Sequence, residues 1–64
     1  MNVGDLVQLK RDWHGHKKSD IGIIVAKEKL EHPPVGLIKT VFYISVAGDV
    51  ISSPKHVIGL IKKL

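Results

Sequence analysis

Four full positive charges, two histidines and the only tryptophan of the chain fall between Lys10 and Lys18, in the run KRDWHGHKK. Lys10, Arg11, Lys17 and Lys18 set against the Asp12 carboxylate leave this stretch with a local charge of +3. Ammonium and guanidinium groups neutralise phosphates, and an indole stacks on a nucleobase for about 1–3 kcal/mol. Those are the parts of a nucleic-acid contact. A second reading competes for Trp13: a large side chain contributes about 1.5–3 kcal/mol when buried. In a short chain with one tryptophan, the indole is expected mainly to fold back and cap an open end of the fold while the cations around it stay wet. Ligand contact is then its secondary role. Lys62 and Lys63 add two further cations, and His16 lies within the basic run. The candidate nucleic-acid-binding set is therefore Lys10, Arg11, Trp13, His16, Lys17, Lys18, Lys62 and Lys63.

His14 and His16 flank Gly15, so both imidazoles could reach one metal ion. Two nitrogen ligands do not close a tetrahedral site without His32, His56 or a carboxylate. No metal site is assigned, and the pair reads as exposed histidines that add charge to the loop in acid. Catalysis finds no support. There is no nucleophile elbow, glycine-rich phosphate loop or His-Glu-x-x-His pattern. Ser45, Ser52 and Ser53 fall in strand or cap positions, and His56 lacks an evident orienting acid. A domain of this size is also expected to have little volume for a ligand cavity of the usual few hundred Å3. No catalytic residue, cofactor or small-molecule substrate is expected.

These residues need a scaffold. The chain has 64 residues, which sets one domain as the ceiling. A domain so small buries only about 60% of the surface its unfolded chain exposes. It contains no cysteine, so neither a disulfide nor a thiolate zinc site can staple it. The 44% hydrophobic content is mostly Val, Ile and Leu, which suits strands. A net charge of +4 is compatible with nucleic acid, an acidic partner or plain solubility.

The apolar pattern has period two almost throughout. VGDLVQL predicts a short first strand over Leu6 to Leu9, and the charged loop follows. IGIIVAKEKL predicts a second strand from Ile21 to about Leu30. Ile21, Ile23 and Val25 share one face of it; Gly22, Ile24 and Ala26 share the other, where the small residues imply a close approach. EHPPVG is a stiff connector around Pro33 and Pro34. LIKTVFYISV predicts a third strand, with Ile38, Thr40, Phe42, Ile44 and Val46 as its core face. Ala47-Gly48-Asp49 is a tight hairpin into a short fourth strand. SPKHV predicts one 3₁₀ turn, with Ser53 as N-cap and Pro54 first in the turn. IGLIKKL is the fifth strand. The fold class is all-β, a single five-stranded SH3-like barrel over residues 1–64 with a one-turn 3₁₀ helix before the last strand. Leu37, Val41 and Tyr43, with Ile24, are expected to form an apolar patch on the outer face, a candidate surface for a protein partner or self-association.

The stretch VGDLVQLKRDW, followed by DIGIIVAKEK, resembles the opening of KOW-type SH3-like domains of ribosomal proteins. It resembles even more the small SH3-like proteins encoded by tailed bacteriophages, marine ones included, which end in a glycine hairpin and a tail that HVIGLI approximates. The resemblance implies a small binding module, phage-encoded and acting in the host cytoplasm or the virion. The chain departs from the KOW pattern at Ser19 and Asp20, where a Lys-Gly pair is favoured, and it carries Tyr43 where the phage-type pattern often has tryptophan. MNVGDLVQLK lacks the basic and apolar regions of a signal peptide, and no apolar run approaches a membrane span, so a soluble intracellular protein is expected. Two readings of function follow: non-specific nucleic-acid binding through the basic loop, or a protein-interaction or assembly module using the outer strand face.

Overall fold

The third segment shows most directly how pattern becomes structure. Along LIKTVFYISV, Phe42, Ile44 and Val46 are buried, while Val41, Tyr43 and Ser45 alternate with them and stay half-buried. A computed structural model describes residues 1–32 and 36–63, without the side chains of His32, Leu37 and Ile38. The Pro33–Pro34 connector and the Leu37 and Ile38 side chains thus lie outside the described residues.

Five antiparallel strands form one sheet: β1 (Leu6–Leu9), β2 (Ile21–His32), β3 (Leu37–Val46), β4 (Asp49–Pro54) and β5 (Ile58–Lys62), with a 3₁₀ turn at Lys55–Val57 before the last. The strand order is β4-β3-β2-β1-β5. This is the expected element order, but β4 and β5 do not pair, so hydrogen bonds do not close the sheet into a barrel. The sheet instead carries two register shifts. One in β2 inserts Val25 between Ile24 and Ala26, and one in β5 leaves Ile61 extra between Leu60 and Lys62. An extra residue bends its strand and increases local twist.

The inner face holds Val7, Leu9, Ile24, Phe42, Ile44, Val46, Val57 and Ile58, all nearly or fully buried, with Met1, Trp13 and Ile51 packed against them. Gly22 belongs to this face for want of space: a Cβ there would lie 2.7 Å from Val46 Cγ2 and 2.8 Å from the Ser45 carbonyl oxygen. The close approach implied by the small residues of β2 is therefore real. Ile24 corrects the expected outer patch, because it is fully buried opposite Ile44. Ile21, Ile23 and Val25 are the outward residues of β2, 56%, 42% and 45% exposed.

The 3₁₀ turn also differs by one residue from expectation. Pro54 is its N-cap and donates no side-chain bond. Ser53 is buried in β4, where its hydroxyl donates to the Pro54 carbonyl. The strand holds Ser53 because it pairs with Phe42 in the core register. β2 pairs with β1 only at residues 21–23, and the β4 pairing of β3 ends at Val41, so residues 29–32 and 37–40 project as a two-stranded arm. Among the described residues no helix is long and apolar enough to cross a membrane.

Candidate functional site

The basic loop leaves β1 at Leu9 and is cinched at its neck. The Leu9 amide donates to the Asp20 carbonyl at 2.9 Å, and the Ser19 amide donates to the Leu9 carbonyl at 2.8 Å. At its tip, Trp13 and His16 exchange backbone bonds of 2.8 and 2.9 Å. His14 and Gly15 between them have φ of 48° and 82°. Positive φ at both central residues is the signature of a type I′ turn, and histidine is among the residues enriched in that region. WHGH is therefore a miniature hairpin.

Two carboxylates rigidify the rest. Asp12 Oδ1 accepts from the Lys18 amide at 2.9 Å, and Asp20 Oδ2 accepts from the Lys17 amide at 3.0 Å. The loop is docked on the β3–β4 hairpin at two points. Trp13 Nε1 donates to the Ser52 carbonyl at 2.8 Å while its ring packs against the core. His16 Nε2 lies 3.4 Å from Asp49 Oδ2, with Nδ1 4.0 Å from Asp20 Oδ2.

This arrangement sorts the sequence-derived residues. Lys10, Arg11, Lys17 and Lys18 are exposed, and among the described residues no lysine or arginine lies within 4.0 Å of a carboxylate. The acids of the loop face backbone amides and His16 instead, so the four cations stand without counter-charges. Trp13 is half-buried and bonded to β4, the capping role expected for it. His16 turns between two carboxylates rather than outward with the lysines. His14 meets the Trp13 ring edge-on, with centroids 5.1 Å apart and planes at 86°. The His-x-His pair thus has separate partners. Compared with known proteins, the chain matches no family, no curated protein and no solved structure.

Lys62 and Lys63 are exposed but sit at the far end of β5. Lys62 faces Leu6, whereas the Lys10 amide reaches the Val57 carbonyl at the near end. Four strand residues separate those positions by about 13 Å. Nearer to Lys10 is a group that sequence reasoning missed. Met1, Lys10, Lys55, His56, Ile58, Gly59 and Leu60 line an open depression of about 450 Å3. It is open to solvent along β5 and is not an enclosed cavity. Lys55-His56 directly before an apolar strand was the signal available in the sequence.

On the outer face Val41 and Tyr43 are half-buried rather than open. The Tyr43 hydroxyl donates to Glu28 Oε2 at 3.2 Å across the β2–β3 ladder. That bond, and next the Glu28 charge, push the phenol above its ordinary pKa. The aliphatic surface of this face is carried by Ile21, Ile23, Val25 and Val50, the last 62% exposed.

Proposed function

We propose that this protein is a non-enzymatic binding module that holds nucleic acid by its phosphate backbone through Lys10, Arg11, Lys17 and Lys18. One observation carries the reading. The loop's carboxylates are occupied by backbone amides and His16, which leaves four exposed cations unpaired on a stiff, docked loop. A stiff loop loses little entropy on binding, and unpaired cations release no counter-charge of their own first. With Trp13 bonded to β4, base stacking is secondary and sequence preference is low. Lys62 and Lys63 extend the field without joining the loop.

An anisotropy titration with labelled single- and double-stranded oligonucleotides tests this. Affinity falls with salt at a log–log slope of about −3 to −4 for four phosphate contacts. Lys17→Glu with Lys18→Glu abolishes binding and leaves the fold intact, because those residues hold the loop through their amides. Absence of binding to DNA or RNA at low salt eliminates the reading.

A protein-contact reading is favoured by one specific feature, the outward aliphatics of β2 and β4. Ile23 faces Leu6 on one side and Ser45 on the other, and Ser45 faces Val50. On this reading Ile21, Ile23 and Val50 join Val41 and Tyr43 as the partner surface, and the Leu37 side chain lies outside the described residues. Sedimentation of the wild type beside Ile23→Ser checks it: a strictly monomeric wild type with unchanged solubility in the variant counts against self-association.

A further inference from the structure

The edge of β5 is unpaired and lies against a cationic, apolar-floored depression. The Lys10 amide donates to the Val57 carbonyl at 2.7 Å, and Leu9 faces Ile58. In an antiparallel ladder the bonded and non-bonded pairs alternate. The backbone groups of Gly59 therefore point at β1, and those of Leu60 point away from it, to the side where the sheet has no further strand. The same strand supplies apolar surface on one face: Ile58 forms the floor and Leu60, 44% exposed, the wall, with Met1 opposite. Charge sits around this floor. Lys10, Lys55 and His56 line the depression, no carboxylate does among the described residues, and Lys62 follows at the strand's far end.

We propose that β5 accepts an extended acidic peptide of another protein as an added strand, in which carboxylates alternate with aliphatic residues. Backbone bonds form to Leu60, whose N–H and C=O are turned outward. Every second side chain of the peptide enters beside Ile58, Leu60 and Met1. Its carboxylates meet Lys10, Lys55 and Lys62. Main-chain pairing of this kind supplies affinity while pockets for alternate side chains supply specificity. A second copy of the chain is the poorer occupant, since edge-to-edge pairing would bring Lys10, Lys55 and Lys62 of both copies together. The proposal stands apart from the nucleic-acid reading, because its central residues, Lys55 and Leu60, lie outside the basic loop.

The test is an anisotropy titration of a labelled peptide, Glu-Val-Asp-Leu-Glu-Val-Asp-Leu, with amide-shift mapping of the protein. A peptide of the same composition with its acids and aliphatics in two blocks is the control. Saturable binding is expected, with shifts centred on Lys55 to Lys62 and affinity at least about tenfold above that of the block peptide. Leu60→Pro removes an N–H that β1 does not use, and it abolishes the binding while oligonucleotide affinity is unchanged. Lys55→Glu, an exposed substitution that keeps the fold, weakens the peptide about tenfold or more. Equal affinity for the block peptide, shifts confined to residues 10–20, or an unaffected Lys55→Glu variant would each overturn the proposal. So would concentration-dependent self-association that the peptide does not compete with.

Discussion

The sheet has two edges. Along β4, the Trp13 indole donates to the Ser52 carbonyl, His16 approaches Asp49, and the basic loop lies over the strand. Along β5, no strand pairs on the side away from β1, and the depression lined by Lys10, Lys55 and Leu60 stays open. Unpaired edges template unwanted pairing, and proteins blunt them with cover, charge or bulges. Here one edge is covered by an aromatic side chain, and the other carries a bulge at Ile61 with lysines along it. Cover makes β4 a structural element. Charge without cover leaves β5 selective, repelling basic strands and admitting acidic ones.

The contrast can be broken most directly at Trp13. Trp13→Ala strips the cover from β4 and removes ring packing from the core, a loss of about 2–4 kcal/mol in urea unfolding. Trp13→Phe keeps an aromatic ring but loses the bond to Ser52 and part of the ring packing, a loss of about 1–2 kcal/mol. Equal stability of the alanine variant and the wild type would mean that β4 needs no cover. Next in size is Gly15→Val. A branched residue at φ 82° strains the turn by about 1–3 kcal/mol and loosens the loop from the β3–β4 hairpin. Amide exchange at Val50 and Ser52 then quickens while that at Gly59 does not change. Parallel quickening at both edges would mean that they are not independently protected.

Gly59→Ala probes the β5 side. A Cβ there meets Lys10 Cε at 3.2 Å, the far end of a flexible chain, so stability changes by no more than about 0.5 kcal/mol. A larger loss would show that the Lys10 stem is fixed on β5. The smallest effect lies between the edges, at Tyr43. Spectrophotometric titration places its hydroxyl above 10.0, and Glu28→Gln brings it down. Its folded-state pKa is raised, so its contribution to stability is present below the ordinary tyrosine value and is lost as pH climbs through the folded one. An unshifted hydroxyl would show that Glu28 does not hold it.

Where a strand shows one clean face to the core, the sequence was sufficient. Phe42, Ile44 and Val46 follow from alternation alone, and Gly22 announced the close contact with Val46 and Ser45. The placement of Ile24 failed for a different reason. Alternation orders residues into two faces but does not say which face is inside, and the extra residue at Val25 exchanges the faces halfway along β2. The loop was legible in its charge but not in its shape. His14-Gly15 occupies the turn positions that Asn-Gly usually fills, and the lysines around it hide the hairpin. The depression beside β5 was signalled only by Lys55-His56 ahead of an apolar strand, because its lining comes together from the start of the chain, the basic loop, the 3₁₀ turn and β5.

The hydrogen-bonded Trp13 has a practical consequence. It is the chain's sole indole, seated half in the core and tied to a single carbonyl, so its near-ultraviolet emission is a built-in gauge of one event, the lifting of the loop from the β3–β4 hairpin. Ligands captured by the lysines leave that light unchanged; those that pry the flap open shift it to the red.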